Sequence, residues 1–384
     1  MRYLALATDF DNTPASEGRV SGAARAALGR LRASDRRAIL VTGRLLDDLL
    51  RLCDCIDLFD YIVAENGALL YEPKSRESTL LGEPPPPQFV ETPRRRGVQP
   101  LEVGKVIVAT HAPRDANVLE AIRQLGLELH VIFNLNAVMV LPAGINKGSG
   151  TKVALRKLGM SPHEVVAVGD AENDHSLLQL AECAVAVGNA VPSLKDIATL
   201  VMRGAAGDGV VELIDRLVAN DLEDVEVRLK RHHVALGLRP DGTTVWLPPY
   251  GPNVLVAGAS GSGKSTLATG LIERLADQHY QVCVIDLEGD YVSLRTLVTI
   301  GDQHHAPGIA EVMAVLRDPY VHTNVSLVGI PLADRPEYFA QLVPHLQAMR
   351  LRTAGRTGWW WTKHIICCTR IGVTPRSRLA SACS

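Results

Sequence analysis

The sequence predicts an α/β protein: a doubly wound parallel sheet with an inserted α+β segment, followed by a second, partial α/β unit. Three observations predict it. Short apolar runs alternate with amphipathic stretches over residues 1–72 and again over 146–220, the pattern of a parallel sheet with helices packed on it. Polar clusters follow several of these runs directly, where parallel sheets hold their ligands. A third alternation starts at Val254 and runs into a glycine-rich loop. At 384 residues the chain exceeds one ordinary core, and two or three domains are expected.

The elements follow in order. Residues 1–72 read as strand Tyr3–Thr8, helix Gly22–Ala33, strand Ala38–Val41, helix Leu45–Leu52 and strand Tyr61–Ala64. Residues 73–145 form the insertion. It contains the run Glu83-Pro84-Pro85-Pro86-Pro87, which must be extended. A strand at Lys105–Ala109, a helix near Ala116–Leu125 and strands near Leu127–Phe133 and Ala137–Leu141 follow. From 146 to 220 the alternation returns: helix 149–158, strand Val165–Val168, helix 173–181, strand Ala184–Val187, helix 209–218. Residues 221–250 read as a connector with turns at Pro240-Asp241-Gly242 and Pro248-Pro249, residues 251–357 as an incomplete α/β domain, and residues 358–384 as an aberrant tail.

Composition bounds the function. The net charge of −2 gives no support to a chain-wide polyanion-binding face. With 47% hydrophobic and 21% charged residues, the chain is folded rather than disordered. No apolar run approaches the roughly 20 residues that span a bilayer, so no membrane partner is expected. Asp9 arrives too early for a signal peptide. Seven scattered cysteines point to a reducing compartment, the cytoplasm. Cys53 and Cys55 lack C-x-x-C spacing and are expected to be ordinary thiols; His232-His233 and His304-His305 lack metal-ligand spacing and are expected at the surface or in turns.

Asp9-Phe10-Asp11-Asn12-Thr13 follows the first strand directly. Alone, this pair of acids could be a solvated loop. Three further clusters occupy comparable places: Thr42-Gly43-Arg44, Lys147 opening a helix, and Gly169-Asp170-Ala171-Glu172-Asn173-Asp174. Four such clusters can converge on one sheet edge.

With Glu65-Asn66-Gly67-Ala68-Leu69, Gly144-Ile145-Asn146-Lys147-Gly148, Val187-Gly188-Asn189-Ala190 and Gly207-Asp208-Gly209-Val210, residues 1–220 resemble the haloacid dehalogenase (HAD) superfamily. Within it they resemble the Cof-type, sucrose-phosphatase-like branch, class IIB. The resemblance implies a Rossmann-like core at 1–72 and 146–220 and a cap at 73–145. It also implies Mg²⁺-dependent hydrolysis of phosphomonoesters. Asp9 would be the nucleophile of an aspartyl-phosphate route, and Asp11 the acid and base for the leaving alcohol and the incoming water. Asp9, the Asp11 carbonyl and Asp170 would ligate Mg²⁺, a cation of hard oxygen ligands, with Asp174 completing or orienting that shell and Asn173 supporting it. Thr42, Gly43, Arg44, Lys147 and Asn173 would form the phosphate-binding set. Two departures stand out: Asn12 where the family has Gly, and Pro14 where it has Leu. Asn adopts positive φ at small cost. A compact cap suits small phosphorylated metabolites such as sugar phosphates or phosphoglycolate. Arg94-Arg95-Arg96 could anchor a second anionic group or be a solvated loop.

Gly258-Ala259-Ser260-Gly261-Ser262-Gly263-Lys264-Ser265 fits the P-loop pattern, with an apolar strand expected at Val254–Ala257 and a helix at Thr266–Leu275. Gly258, Ser260, Gly261, Ser262, Gly263, Lys264, Ser265 and Thr266 are the candidate nucleotide-binding residues. Backbone N–H groups converge on phosphates, the lysine reaches the β/γ oxygens, and Ser265 reaches Mg²⁺. ATP is the expected ligand. Leu236–Tyr291 resembles HerA/FtsK-type ATPases, which carry an acidic segment where this chain has Asp286-Leu287-Glu288-Gly289-Asp290-Tyr291. That resemblance implies a later Asp-Glu pair, and none follows 291, so ATP turnover is doubtful. Nucleic acid is a possible partner that nothing else in the sequence supports. The alternative function is therefore a HerA/FtsK-like ATPase with an accessory HAD domain.

The last 34 residues carry six basic side chains and no acid. Trp has one codon, so Trp359-Trp360-Trp361-Thr362 fixes its bases. Shifted by two, those bases encode Val-Val-Asp, and the following codons permit Glu-Ala-His-His-Leu-Leu. Residues after about 357 are expected to be a frameshifted readout of the missing Asp-Glu strand.

Overall fold

A computed structural model describes residues 1–134, 136–228, 233–249, 254–352, 357–362 and 366–367. The chain divides into two compact units, Met1–Leu229 and Lys230–Ser384.

The first unit is built on an eight-stranded sheet in the order Leu200–Val201, Cys183–Ala186, Val165–Gly169, Ala5–Asp9, Arg37–Val41, Tyr61–Ala64, Leu69–Glu72, Glu77–Leu80. The first six strands are parallel and the last two antiparallel. The expected doubly wound α/β core is present. Its central strands are continuous apolar runs because both faces are covered, and every residue of Ala5–Asp9 and Val165–Gly169 is buried. Register decides the chemistry. Ala5 pairs with Arg37 on one side and Val165 on the other, so Asp9 ends level with Val41, and Thr8 with Val168. Thr42 and Asp170 therefore follow at the same carboxyl edge.

Helices start where their caps permit. Ser21 accepts from the Ala24 amide at the head of Gly22–Ala33, and Asn146 from the Ser149 amide at the head of Lys147–Leu158, each satisfying an N–H that the helix leaves free. Gly159, at φ 66°, ends the latter helix. Asn12 takes φ 52°, as its place in the acidic turn requires.

The insertion forms a four-stranded antiparallel sheet in the order Leu129–Asn134, Ala137–Pro142, Val108–His111, Glu102–Val103. Helices Pro87–Arg95 and Asp115–Leu125 pack on it through Phe89, Val118, Ala121, Val108 and Val140. The proline run is not extended to its end, because Pro87 opens a helix, where a missing N–H costs nothing. The strand expected from Lys105 starts only at Val108, since residues 104–107 close a turn. Glu77–Leu80 belongs to the core sheet rather than to the inserted one.

The second unit carries a sheet in the order Val298–Ile300, Thr323–Ser326, Gln281–Asp286, Thr357–Thr362, Ile366–Cys367. Helices Lys264–Asp277, Ile309–Leu316 and Arg335–Arg352 accompany it. Within the connector Val234–Leu238 and Thr244–Leu247 pair as a hairpin around the turn at Pro240-Asp241-Gly242. The strand expected at Val254–Ala257 does not form. Only Val254 makes a bridge and Leu255 is 67% exposed, because this short run has no strand partner among the described residues. Residues 251–253, His232 and most of the aberrant tail (363–365 and 368–384) lie outside the described residues. Among those described, no helix is long and apolar enough to cross a membrane.

Candidate active site

Asp9, Asp170 and Asp174 are buried at the carboxyl edge of the first sheet, and one carboxylate oxygen of each lies within 4.8 Å of the others. Lys147, at the first position of its helix, is 1% exposed and donates to Asp9 Oδ1 at 2.5 Å and Asp174 Oδ1 at 2.6 Å. Three carboxylates thus face one ammonium. Burial first, then the charge of Asp174, pushes the Asp9 carboxyl well above its ordinary range, with Lys147 opposing. The same two causes push Asp170 up to about 6. Burial would lower Lys147, but the charges of Asp174 and Asp9 outweigh it and push the ammonium up. Both directions have one source: surplus negative charge in a dry place. Such a site accommodates a divalent cation. Its donors are hard oxygens, which suits Mg²⁺.

The carboxylates are not equivalent. Asp174 Oδ2 accepts the N–H groups of Asp170 (3.0 Å) and Ala171 (3.1 Å), while Oδ1 takes Lys147. Its oxygens are occupied, so it orients the cluster. Asp170 accepts from the Thr13 hydroxyl at 3.2 Å. Gly169 is required here, because a β-carbon would meet Asp174 Oδ2 at 2.5 Å.

Asp11 stands at the mouth, with Arg44 bound to it. Arg44 Nε donates to both carboxylate oxygens (3.0 and 2.8 Å) and Nη2 to Oδ1 (2.6 Å). Arg44, expected on the phosphate, is occupied with Asp11 in this structure. The Thr42 hydroxyl accepts the Arg44 amide at 3.1 Å. Asn173 donates to Asn66 Oδ1 at 3.1 Å, and Asn173 Oδ1 and Asn66 Nδ2 are buried without a partner.

A cavity of ≈ 390 Å³ opens onto these groups. Asp9, Asp11, Gly43, Arg44, Lys147 and Asp170 line its core side. Glu102, Thr110, His111, Asn134 and Met139 line it from the insertion. Sequence reasoning missed this second set. Alternation along the cap strands does not single it out, because the consecutive residues Ala109, Thr110 and His111 all line the cavity. Arg94–Arg96 do not line the cavity; Arg95 pairs with Glu91 and Arg96 with Gln124.

In the second unit the glycine-rich loop turns at Gly261 (φ 77°) and Gly263 (φ 86°) and passes into helix Lys264–Asp277. Lys264, Ser265 and Thr266 thus lie in the first turn, whose N–H groups lack helical partners. Lys264 Nζ donates to Ala259 O at 2.8 Å, back across the loop. Asp286 is fully buried and accepts the N–H groups of Glu288, Gly289, Asp290 and Tyr291 at 2.8–3.2 Å. It holds a turn. His304 and His305 both donate backbone N–H groups to Asp302, as turn residues do. Cys53, Cys55, Cys183 and Cys283 are buried thiols outside any disulfide.

Comparison with known proteins finds a similarity in each unit. Residues 98–214 match the haloacid dehalogenase-like hydrolases, and residues 252–343 match the central domain of the helicase HerA. A phosphoglycolate phosphatase of Methanothermobacter thermautotrophicus is 30% identical over 223 residues, covering 56% of this chain and 98% of its own. Phosphoglycolate phosphatase 2 of Saccharolobus solfataricus is 27% identical, covering 57% and 94%. A crystal structure of Thermoplasma acidophilum 0175 covers 56% of this chain and 98% of its own at 14% identity, with a TM-score of 0.49.

Proposed function

The chain belongs to the haloacid dehalogenase-like hydrolases and is a phosphatase, and from that premise we propose that it hydrolyses a small phosphorylated metabolite through an aspartyl-phosphate on Asp9, with Mg²⁺. The observation that carries this is the cluster of three buried carboxylates against one lysine, opening onto a capped cavity. Asp9 attacks the phosphorus. The bond to the leaving oxygen breaks, and Asp11 supplies the proton that the alcohol takes away. Asp11 then accepts a proton from water as it attacks the aspartyl-phosphate, which releases phosphate and restores Asp9. Arg44 holds the Asp11 carboxylate at the mouth between these steps. Lys147 and the Gly43 amide face the charge that spreads over the phosphoryl oxygens. Asp9, the Asp11 carbonyl and Asp170 would hold Mg²⁺, which supplies Lewis-acid charge to the transferring group.

The cavity suits a small alcohol, and phosphoglycolate, the substrate in the names of the relatives, is the first candidate. The test is phosphate release from a panel of phosphomonoesters with Mg²⁺. Wild type should release phosphate from at least one, and Asp9→Asn from none. Equal background rates for the two proteins would defeat the proposal.

A second activity, ATP binding at the loop Gly258–Thr266, is favoured by the HerA match and by the two left-handed glycines ahead of the helix. Asp286 is committed to its turn, which agrees with binding without turnover. Strand Thr357–Thr362 lies parallel to Gln281–Asp286, with Thr362 opposite Asp286, and the shifted Asp-Glu would fall at this edge. Resequencing decides that point: a codon incompatible with Glu after the forced Asp removes it. The alternative reading, a HerA/FtsK-like motor with an accessory phosphatase, requires ATP turnover stimulated by DNA.

A further inference from the structure

Glu65 is not among the reacting groups, yet it is 1% exposed and bonded to the cap. Its Oε1 accepts the Lys105 N–H at 2.9 Å, and its Oε2 accepts those of Val106 at 2.8 Å and Ile107 at 3.1 Å. The Gly104 N–H donates to Ile107 O at 2.8 Å, closing a turn in which three successive amides converge on one anion. The fit is close: a β-carbon at Gly104 would lie 2.7 Å from the Glu65 carboxyl and from Leu45 Cδ2.

The backbone here also ties the cap to the phosphate loop. The Glu65 N–H donates to Arg44 O at 3.0 Å and the Asn66 N–H to Thr42 O at 2.9 Å. Glu65 and Asn66 both take left-handed backbone, φ 51° and 54°, which a non-glycine residue holds only where its surroundings over-determine it. Leu45 and Ala68 of the core share an apolar cluster with Val106, Ile107 and Met139 of the cap. Met139 is thereby seated over Gly43, with its sulfur 3.3 Å from where a β-carbon there would stand.

We propose that Glu65 is a positioning residue: its carboxylate latches the cap turn 104–107 to the core and so sets the closed seat of the cap over the phosphoryl site. Charge-assisted bonds to N–H groups are the strong class of hydrogen bond. A glutamine at this place keeps the shape but turns one acceptor into a donor that faces donors. The consequence for catalysis rests on the phosphatase reading; the latch itself does not. With the latch weakened, the cap is seated a smaller fraction of the time, and apparent affinity falls by that fraction.

Hydrogen exchange on the full chain tests this. In wild type the amides of 105–107 should be as protected as those of Ala5–Asp9. In Glu65→Gln, and independently in Gly104→Ala, exchange at 105–107 should rise while the core strands stay protected. With p-nitrophenyl phosphate as probe, KM should rise about tenfold in both variants while kcat changes less. Fast exchange at 105–107 in wild type overturns the proposal, as do two folded variants with unchanged exchange and KM. If wild type shows no hydrolysis that depends on Asp9, the phosphatase reading fails, and the exchange result still judges the latch.

Discussion

Asp9 and Asp286 occupy the same kind of place, the carboxyl end of a buried strand in a parallel sheet, and their surroundings give them opposite work. Asp9 accepts one bond from Lys147 and faces two more buried carboxylates. Asp286 accepts four backbone N–H groups from the turn that follows it. A strand-end aspartate is a candidate by position alone. Its partners decide the rest. Surplus like charge leaves a carboxylate available to a cation or an electrophile, whereas a full set of N–H donors leaves it a structural anchor.

Four substitutions can break or sharpen that contrast. The largest effect is expected at Asp9. Asp9→Asn keeps the shape, removes the proposed nucleophile, and should lower phosphate release by at least about a thousandfold in steady-state assays. Lys147→Met leaves three buried carboxylates uncompensated. It should cost about 3–5 kcal/mol in denaturant unfolding, as breaking a buried pair does, and added Mg²⁺ should restore part of the loss. Asp286→Ala orphans the turn amides and should destabilise the second unit by about 1–3 kcal/mol, with phosphate release unchanged. If it lowered phosphatase activity instead, the division of labour between the two aspartates would fail. The smallest structural effect belongs to Lys264→Ala. Lys264 is only half-buried and makes one bond, to Ala259 O, so unfolding should change little, but equilibrium binding of ATP should be lost.

The periodicity of the core was legible because the parallel strands, buried on both faces, read as short apolar runs between amphipathic stretches. The buried cluster was legible in part, since Asp9 and Asp170 stand at strand ends and Lys147 opens a helix. Proline misled at Pro87, where the residue that blocks a helix interior is at home in its first turn. The cap residues facing the cavity were hidden: Thr110, His111 and Asn134 matter through the fold of the insertion, and no local pattern separates them from neighbours that face elsewhere. The two places where chemistry depended on partners, Arg44 on Asp11 and Asp286 on its turn, could not be read from spacing at all. A sequence shows which groups can meet, and the register decides which do.

The central claim is that Asp9 carries the phosphoryl group. It is tested most directly by acid quench during turnover of p-nitrophenyl phosphate with Mg²⁺, followed by mass spectrometry of the peptide that contains Asp9. A phosphoryl adduct on Asp9 in wild type, absent from Asp9→Asn, is the result predicted here. Turnover that persists in Asp9→Asn, or an adduct on another residue, would contradict it.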